Sequence, residues 1–215
     1  MMRDGRQDRQ AGRPNARTRL LDVAVDVIRR QGFAATTVDD LCKAAGVTKG
    51  AFFHHFASKE ELGTAVADHW SETTSALFAA APYHRHPDPL DRVLGYLDFR
   101  RELIAGEVAA FTCLVGTMVQ ESHETSPPIR DACGASIFGH AQVVQDDIAA
   151  AMAQHGTVPG WTAAGLARHF QAVLQGGFIL AKASGDPQVA VEGIDHLHRY
   201  VTMLFRGGTG EETGN

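Results

Sequence analysis

The sequence predicts an all-α protein in which an N-terminal helix-turn-helix domain of three short helices is joined by a long helix to a larger helical domain. Three observations carry this expectation. Apolar residues recur at helical spacing, dense β-branched alternation is missing, and capping residues, glycines and prolines punctuate the periodic segments. At 215 residues the chain is long enough to bury a real core.

Residues 1–17 are polar, lack periodicity and carry Arg3, Arg6, Arg9, Arg13 and Arg17, so they read as a flexible basic arm. A helix is expected from about Thr18, with Leu20, Leu21, Ala24, Val27 and Ile28 on one face and Gly32 closing it. Thr37, followed three residues later by Asp40, caps a short second helix, "VDDLCKAA", which Gly46 ends. Thr48 caps a third, "KGAFFHHF", and Ser58 with Glu61 forms a capping box that opens a long fourth helix to about Ala80. Two short helices joined by a glycine turn make a helix-turn-helix. After the prolines of "APYHRHPDP", further helices are expected over 88–104, 110–122, 127–155, 162–184 and 187–206, separated by "SPP", "HGTVPG" and "SGDP". The domains expected are 18–62 and 63–207, with a disordered tail over 208–215.

Charge divides along the same boundary. The net charge is −5, but residues 1–60 hold eleven Lys/Arg against seven Asp/Glu while the rest holds nine against eighteen. A basic head on an acidic body implies that only the head meets a polyanion. Cys42, Cys113 and Cys133 are odd in number and form no CxxC pair, so neither a disulfide framework nor a zinc ribbon is indicated and a reducing, cytoplasmic setting is expected. The longest uncharged apolar run, "VAAFTCLVGTMV", has twelve residues, too few to cross a bilayer. The histidines offer no H-E-x-x-H: His54 and His55 lie in the third helix, His84 and His86 in a proline-rich loop, and His196 and His198 diverge on a helix. No metal and no cofactor is expected.

The stretch "VTKGAFFHHF" carries the chemistry. At about 100° per residue, Phe52 and Phe56 fall together and point inward, while Gly50 and His54 lie opposite, flanked by Ala51 and Phe53. Small side chains at Gly50 and Ala51 let a helix enter the major groove closely, and Lys49 at the helix N-terminus offers charge and N–H donors to phosphate. A solvated surface helix is the plainer reading of two adjacent histidines. The cap, the preceding glycine turn and the basic surroundings favour DNA.

Residues 18–62, "TRLLDVAVDVIRRQGFAATTVDDLCKAAGVTKGAFFHHFASKEEL", resemble the DNA-binding domain of TetR-family transcriptional regulators in the "GF…TTV" entry, the "AAGVTKG" turn, the "F-x-x-HF" close and the "SKEEL" start of the next helix. The resemblance implies that Thr37 and Lys59 bind phosphate and that Thr48, Lys49, Gly50, Ala51, Phe53, His54 and His55 lie on or beside double-stranded operator DNA. Two positions depart from the family pattern: Phe53 stands where tyrosine is usual, removing a phenolic phosphate contact, and Cys42 stands where a small alanine is common.

Over 63–215 the resemblance is weaker and rests on length, helix count and "FQAVLQGGFILAKASGDP" followed by one last helix. It implies a homodimer built on the two C-terminal helices and an effector cavity among the others. Leu166, Phe170, Val173, Leu174 and Phe178 form one apolar stripe, and Ala190, Ile194, Leu197, Val201 and Leu204 another, with Gly176 and Gly177 permitting close approach. Such stripes fit a dimer interface, and equally the interior of one subunit. On "FTCLVGTMVQES", Phe111, Leu114, Val115 and Met118 make an apolar stripe beside a mildly polar one. Phe99, Cys113, Thr117, Met118, Gln120, Glu121, His140 and Phe170 are the candidate effector contacts, with ordinary core packing as the competing reading. The expected function is a TetR-like regulator, a dimeric repressor released from its operator by a small hydrophobic or amphipathic effector. An activator or co-regulator with the same head is the alternative. An all-α enzyme using Cys113, Glu121 and His123 would still need an orienting group and an oxyanion site, and no motif supplies either.

Overall fold

The computed structural model describes residues 15–157 and 159–206, and all its regular elements there are helical. They are α1 (Ala16–Gln31), α2 (Val38–Ala45), α3 (Lys49–His55), α4 (Lys59–Ala79), a short 3-10 turn (Pro82–Arg85), α5 (Pro89–Glu102), α6 (Val108–Phe111), α7 (Leu114–Ser122), α8 (Pro127–His155), α9 (Ala163–Ser184) and α10 (Gln188–Arg206). No helix among the described residues is long and apolar enough to cross a membrane.

Local chemistry accounts for the ends of the first four helices. Asn15 Oδ1 accepts the Thr18 N–H at 2.8 Å, so α1 begins at Ala16, earlier than expected, and takes Arg17 out of the arm. Arg17 instead lies over the Phe56 ring, 5.4 Å from its centroid. Residues 1–14 of the arm expected over 1–17 fall outside the described residues, as does the tail expected over 208–215. Thr37 and Asp40 form a reciprocal capping box on α2. Gly46 ends that helix at φ 61°, a left-handed turn that lets α3 start after only two residues. Thr48 Oγ1 accepts the Ala51 N–H at 3.1 Å, and Ser58 Oγ accepts the Glu61 N–H at 3.1 Å.

One expected helix is divided. Where periodicity suggests a single helix over 110–122, Thr112 and Cys113 adopt extended backbone between α6 and α7. No glycine or proline announces the break. It occurs where the Thr112 carbonyl turns to accept Arg29 Nε–H from α1 at 2.8 Å, and Cys113 Sγ then accepts the Gly116 N–H at 3.4 Å to start α7.

Two apolar clusters fill the molecule. The first joins Leu20, Leu21, Ile28, Leu41, Phe52, Phe56 and Leu62 of the head to Leu114, Met118, Ile129 and Cys133 of α7 and α8. The head expected over 18–62 is therefore not sealed on its own, because α7 and the start of α8 close its core. The second cluster gathers α5, α8, α9 and α10 around Tyr96, Leu97, Ile148 and Phe170.

That second cluster corrects the expected dimer interface. Leu166, Phe170, Leu174, Phe178, Ala190, Ile194, Leu197 and Val201 are 0–8 % exposed within one protomer. Gly177 brings α9 against Ala190 of α10, where an added Cβ would lie 3.4 Å from the Ala190 Cα. Val173 and Leu204 are only partly buried. A stripe at helical spacing shows that a face is covered, and here the covering partner is the neighbouring helix of the same chain. The opposite faces of α9 and α10 leave Leu180, Tyr200 and Met203 exposed.

Candidate functional site

Helix α3 is held by its inward face and offers its outward one. Phe52 and Phe56 are 0 % and 1 % exposed, while Lys49, Gly50, Phe53 and His54 face solvent and Ala51 and His55 are partly exposed. Phe53 is 55 % exposed and lies edge to face with Phe52, with ring centroids 5.2 Å apart. His54 and His55 lie edge to face at 4.9 Å. A Cβ added at Gly50 would meet nothing nearer than Thr48 Oγ1 at 3.7 Å, so the face is as bare as its composition suggests. Lys49 Nζ pairs with Asp39 of α2 at 2.8 Å, and this hydrogen bond and the aspartate's charge raise the lysine's pKa.

Two expected phosphate contacts are occupied otherwise. Lys59 Nζ–H donates to the carbonyls of Phe33, Ala34 and Thr36 at 3.0, 3.3 and 2.9 Å and lies over the Phe33 ring. An ammonium has three donors, and all three hold the turn between α1 and α2. Thr37 Oγ1 donates to Asp40 Oδ2 at 2.7 Å and accepts the Asp40 N–H at 3.1 Å, which uses its hydroxyl for the cap. These hydrogen bonds from Thr37 hold the exposed Asp40 carboxyl below the usual carboxylate range.

The same turn is clamped from the body. Glu121 Oε2, at the end of α7, accepts the Ala34 N–H at 2.9 Å. Gly32, at φ 86°, has no side chain because a Cβ there would run into the Glu121 carboxylate. Glu121 is thus a bridge between body and head.

Three adjoining cavities surround Phe178. The first lies among α4, α5, α7, α8 and α9 and is walled by Trp70, Phe78, Phe111, Ile137, Leu174 and Phe178, with Arg100, Cys113, Ser136, His140, Gln171 and Gln175 as polar groups. The second shares Cys113 and Gln175 and adds Thr112, Thr117, Gln120, Glu121 and Lys182, whose Nζ–H donates to Thr117 Oγ1 at 2.9 Å. The third shares Trp70, Phe78 and Arg100 and adds Arg29. Arg29 lies over the Trp70 ring at 5.1 Å, and burial lowers its pKa.

Of the residues expected to meet an effector, Cys113 and His140 line the first cavity, and Cys113, Thr117, Gln120 and Glu121 the second. Met118, Phe99 and Phe170 are corrections. Met118 is fully buried in the head cluster. Phe99 packs edge to face on Phe78, and Phe170 stacks on Tyr96 within the second cluster. A helical wheel separates apolar from polar faces but does not show which apolar face borders a void. Arg100, Trp70 and Gln171 were not anticipated. The one available hint was Tyr96 four residues before Arg100, the spacing at which the guanidinium Nε–H donates to the Tyr96 hydroxyl at 2.9 Å.

The interior hydrogen bonds impose a protonation state. His140 Nε2 lies 2.7 Å from Arg100 Nη2 and 3.0 Å from the Tyr96 hydroxyl, so it must accept. Burial, reinforced by the Arg100 charge, pushes His140 down to about 3. The enzyme alternative finds no assembly: Glu121 is committed to the Ala34 N–H, Cys113 caps α7, and His123 is exposed beside Glu124. Among the described residues no group of three or more His, Cys, Asp or Glu converges as a metal site.

A family model described as bacterial regulatory proteins, tetR family, matches residues 20–66, and one for the C-terminal domain of LmrA/YxaF-like transcriptional regulators matches 89–190. The chain belongs to the TetR family. Within it, the HTH-type transcriptional repressor KstR2 of Rhodococcus jostii is 44 % identical over 55 residues, 26 % of this chain and 27 % of that repressor. The transcriptional regulator AcuR of Cereibacter sphaeroides is 29 % identical over 119 residues, 54 % of each chain. The chain thus aligns with about a quarter to a half of the length of these curated relatives. A solved TetR transcriptional regulator from Chloroflexus aurantiacus superposes with a TM-score of 0.77 at 25 % identity, covering 88 % of this chain and 95 % of that one.

Neutral His140 gives the TetR-family body a pH dependence. The unfolded imidazole binds a proton near pH 6.5 whereas the folded one resists until about 3, so stability falls as pH drops through that window. His140→Gln should show a shallower loss than the parent chain when melting temperature is followed from pH 7 to pH 4. Parallel curves would mean that other groups dominate the acid response.

Proposed function

We propose that this TetR-family regulator is a dimeric repressor whose α3 enters the major groove of operator DNA and whose release is set by a small amphipathic effector in the cavities around Phe178. The observation that carries this reading is the double duty of α7. Cys113, Gly116, Thr117 and Gln120 border a cavity, while Leu114 and Met118 lie in the head cluster and Glu121 holds the Ala34 N–H. An occupant that displaces α7 moves the head with it. Since two heads must meet half-sites about 34–36 Å apart on one duplex, a small change in their separation shifts the population off DNA.

On this reading Thr48, Lys49, Gly50, Ala51, Phe53, His54 and His55 lie on or beside the DNA, and phosphate competes with Asp39 for Lys49. Thr37 and Lys59 act by shaping the turn rather than by touching phosphate. The dimer forms through the exposed outer edges of α9 and α10, along Val173, Gly176, Leu180, Tyr200 and Met203. An exposed apolar row of this kind fits a second copy of itself.

Selection of genomic fragments on the purified protein, with sequencing of what is retained, tests the reading as a whole. An enriched pseudo-palindrome supports it, and retention without any sequence preference counts against it. Lys49→Ala should weaken binding on every sequence and lower the slope of log K against log salt by about 0.9 in anisotropy titrations. Lys59→Ala should lower melting temperature and leave that slope unchanged; a flattened slope would restore Lys59 as a phosphate contact. Met203→Glu should shift the sedimenting species from dimer to monomer, because closing the interface would bury unpaired carboxylates. A Met203→Glu protein that still sediments as a dimer would place the interface elsewhere.

A further inference from the structure

Three arginines lie on α5, and two of them meet carboxylates: Arg92 Nε lies 2.6 Å from Asp147 and Arg101 Nε 3.1 Å from Asp195. Arg100, the one that faces the interior, has no carboxylate within ion-pair distance among the described residues, and no Asp or Glu lines the first cavity. Its guanidinium carbon lies over aromatic rings, 4.3 Å from the Phe78 centroid and 5.4 Å from that of Tyr96. Its edge is only partly used, because Nε–H donates to Tyr96 and one Nη2–H to His140. A guanidinium carries five N–H donors, so three remain.

A second unsatisfied donor lines the same cavity. Gln171 is 9 % exposed, and its Nε2, close to the Tyr96 hydroxyl, makes no hydrogen bond of good geometry among the described residues. A partly buried cation without a counter-ion and a buried amide without an acceptor are both costly, and both are relieved by one anion between them. The remaining walls, Trp70, Phe111, Leu174 and Phe178 among them, are apolar.

We propose that the effector is an amphipathic carboxylate whose head group pairs with the free edge of Arg100 and accepts from Gln171, and whose hydrocarbon tail lies along Phe111, Leu174 and Phe178. This deepens the effector reading above and rests on it only for the consequence at DNA. A planar, singly charged carboxylate matches a guanidinium fork. A phosphate dianion would bring a second charge to a cavity with one cation, since Arg29 and Lys182 line the neighbouring cavities instead. Tyr96 and His140 are positioning residues, holding the guanidinium on the wall of the cavity.

The test is calorimetric titration of the full chain with straight-chain acids from hexanoate to dodecanoate and, in parallel, with their primary amides. At least one acid should bind, and its amide should bind about 10-fold to 100-fold more weakly, the range of a charged hydrogen-bond pair. Arg100→Gln should abolish the preference of acid over amide, and Arg100→Lys should keep part of it. Equal binding of acid and amide, no binding by any acid, or a preference that survives in Arg100→Gln overturns the assignment. Repeating the titration on the protein bound to its selected operator separates the two readings. An acid that binds without releasing DNA leaves the carboxylate site standing and overturns effector release alone.

Discussion

The contact on which the rest of the structure depends is the seating of α7 against α1. Met118 and Leu114 close the core of the head from the side of the body, and Glu121 takes the Ala34 N–H in the turn that leads to α2. Arg29 ties the same two regions through the Thr112 carbonyl. Without these contacts the head would present part of its apolar cluster to water, and a domain of about 45 residues buries too little apolar surface to compensate. The head cannot take a new position relative to the body without repacking this cluster, and close-packed cores change by discrete rearrangement rather than by gradual bending.

This arrangement explains the division of polar groups in the body. Lys59 and Glu121 both serve the short turn between α1 and α2, one binding its carbonyls and the other an N–H, so that its exposed backbone groups are satisfied from opposite sides. Around Phe178 the balance is different. Arg29, Arg100 and Lys182 outnumber the single carboxylate of Glu121 on the walls of the three cavities, and that carboxylate is already engaged. Of these three cations Arg29 and Lys182 already donate to Thr112 and Thr117, and Arg100 is the one beside the first cavity.

The outward face of α3 was legible because capping chemistry and period act over a few residues. Thr48, the glycine turn at Gly46 and the inward pair Phe52 and Phe56 leave only one way for Lys49, Gly50 and His54 to point. The dimer stripes were legible as stripes and misassigned in role. The pattern Ala190, Ile194, Leu197 and Val201 reports burial, but the choice between burial by α9 of the same chain and burial by another copy depends on contacts distant in sequence. The break at Thr112 was hidden for the same reason, because the group that opens it is Arg29, far away on another helix.

The sequence by itself determined the class of fold, the positions of nearly all helices, the inward and outward faces of α3 and the family, because each depends on spacing, caps and turns within a short window. Only the tertiary structure decided that Lys59 and Glu121 hold a turn, that Met118 packs in the core of the head, and that Arg100, with no carboxylate partner among the described residues, shares a cavity wall with an unsatisfied Gln171. A side chain's charge and polarity are properties of its residue type, but whether they are satisfied depends on the groups that packing brings within about 3 Å.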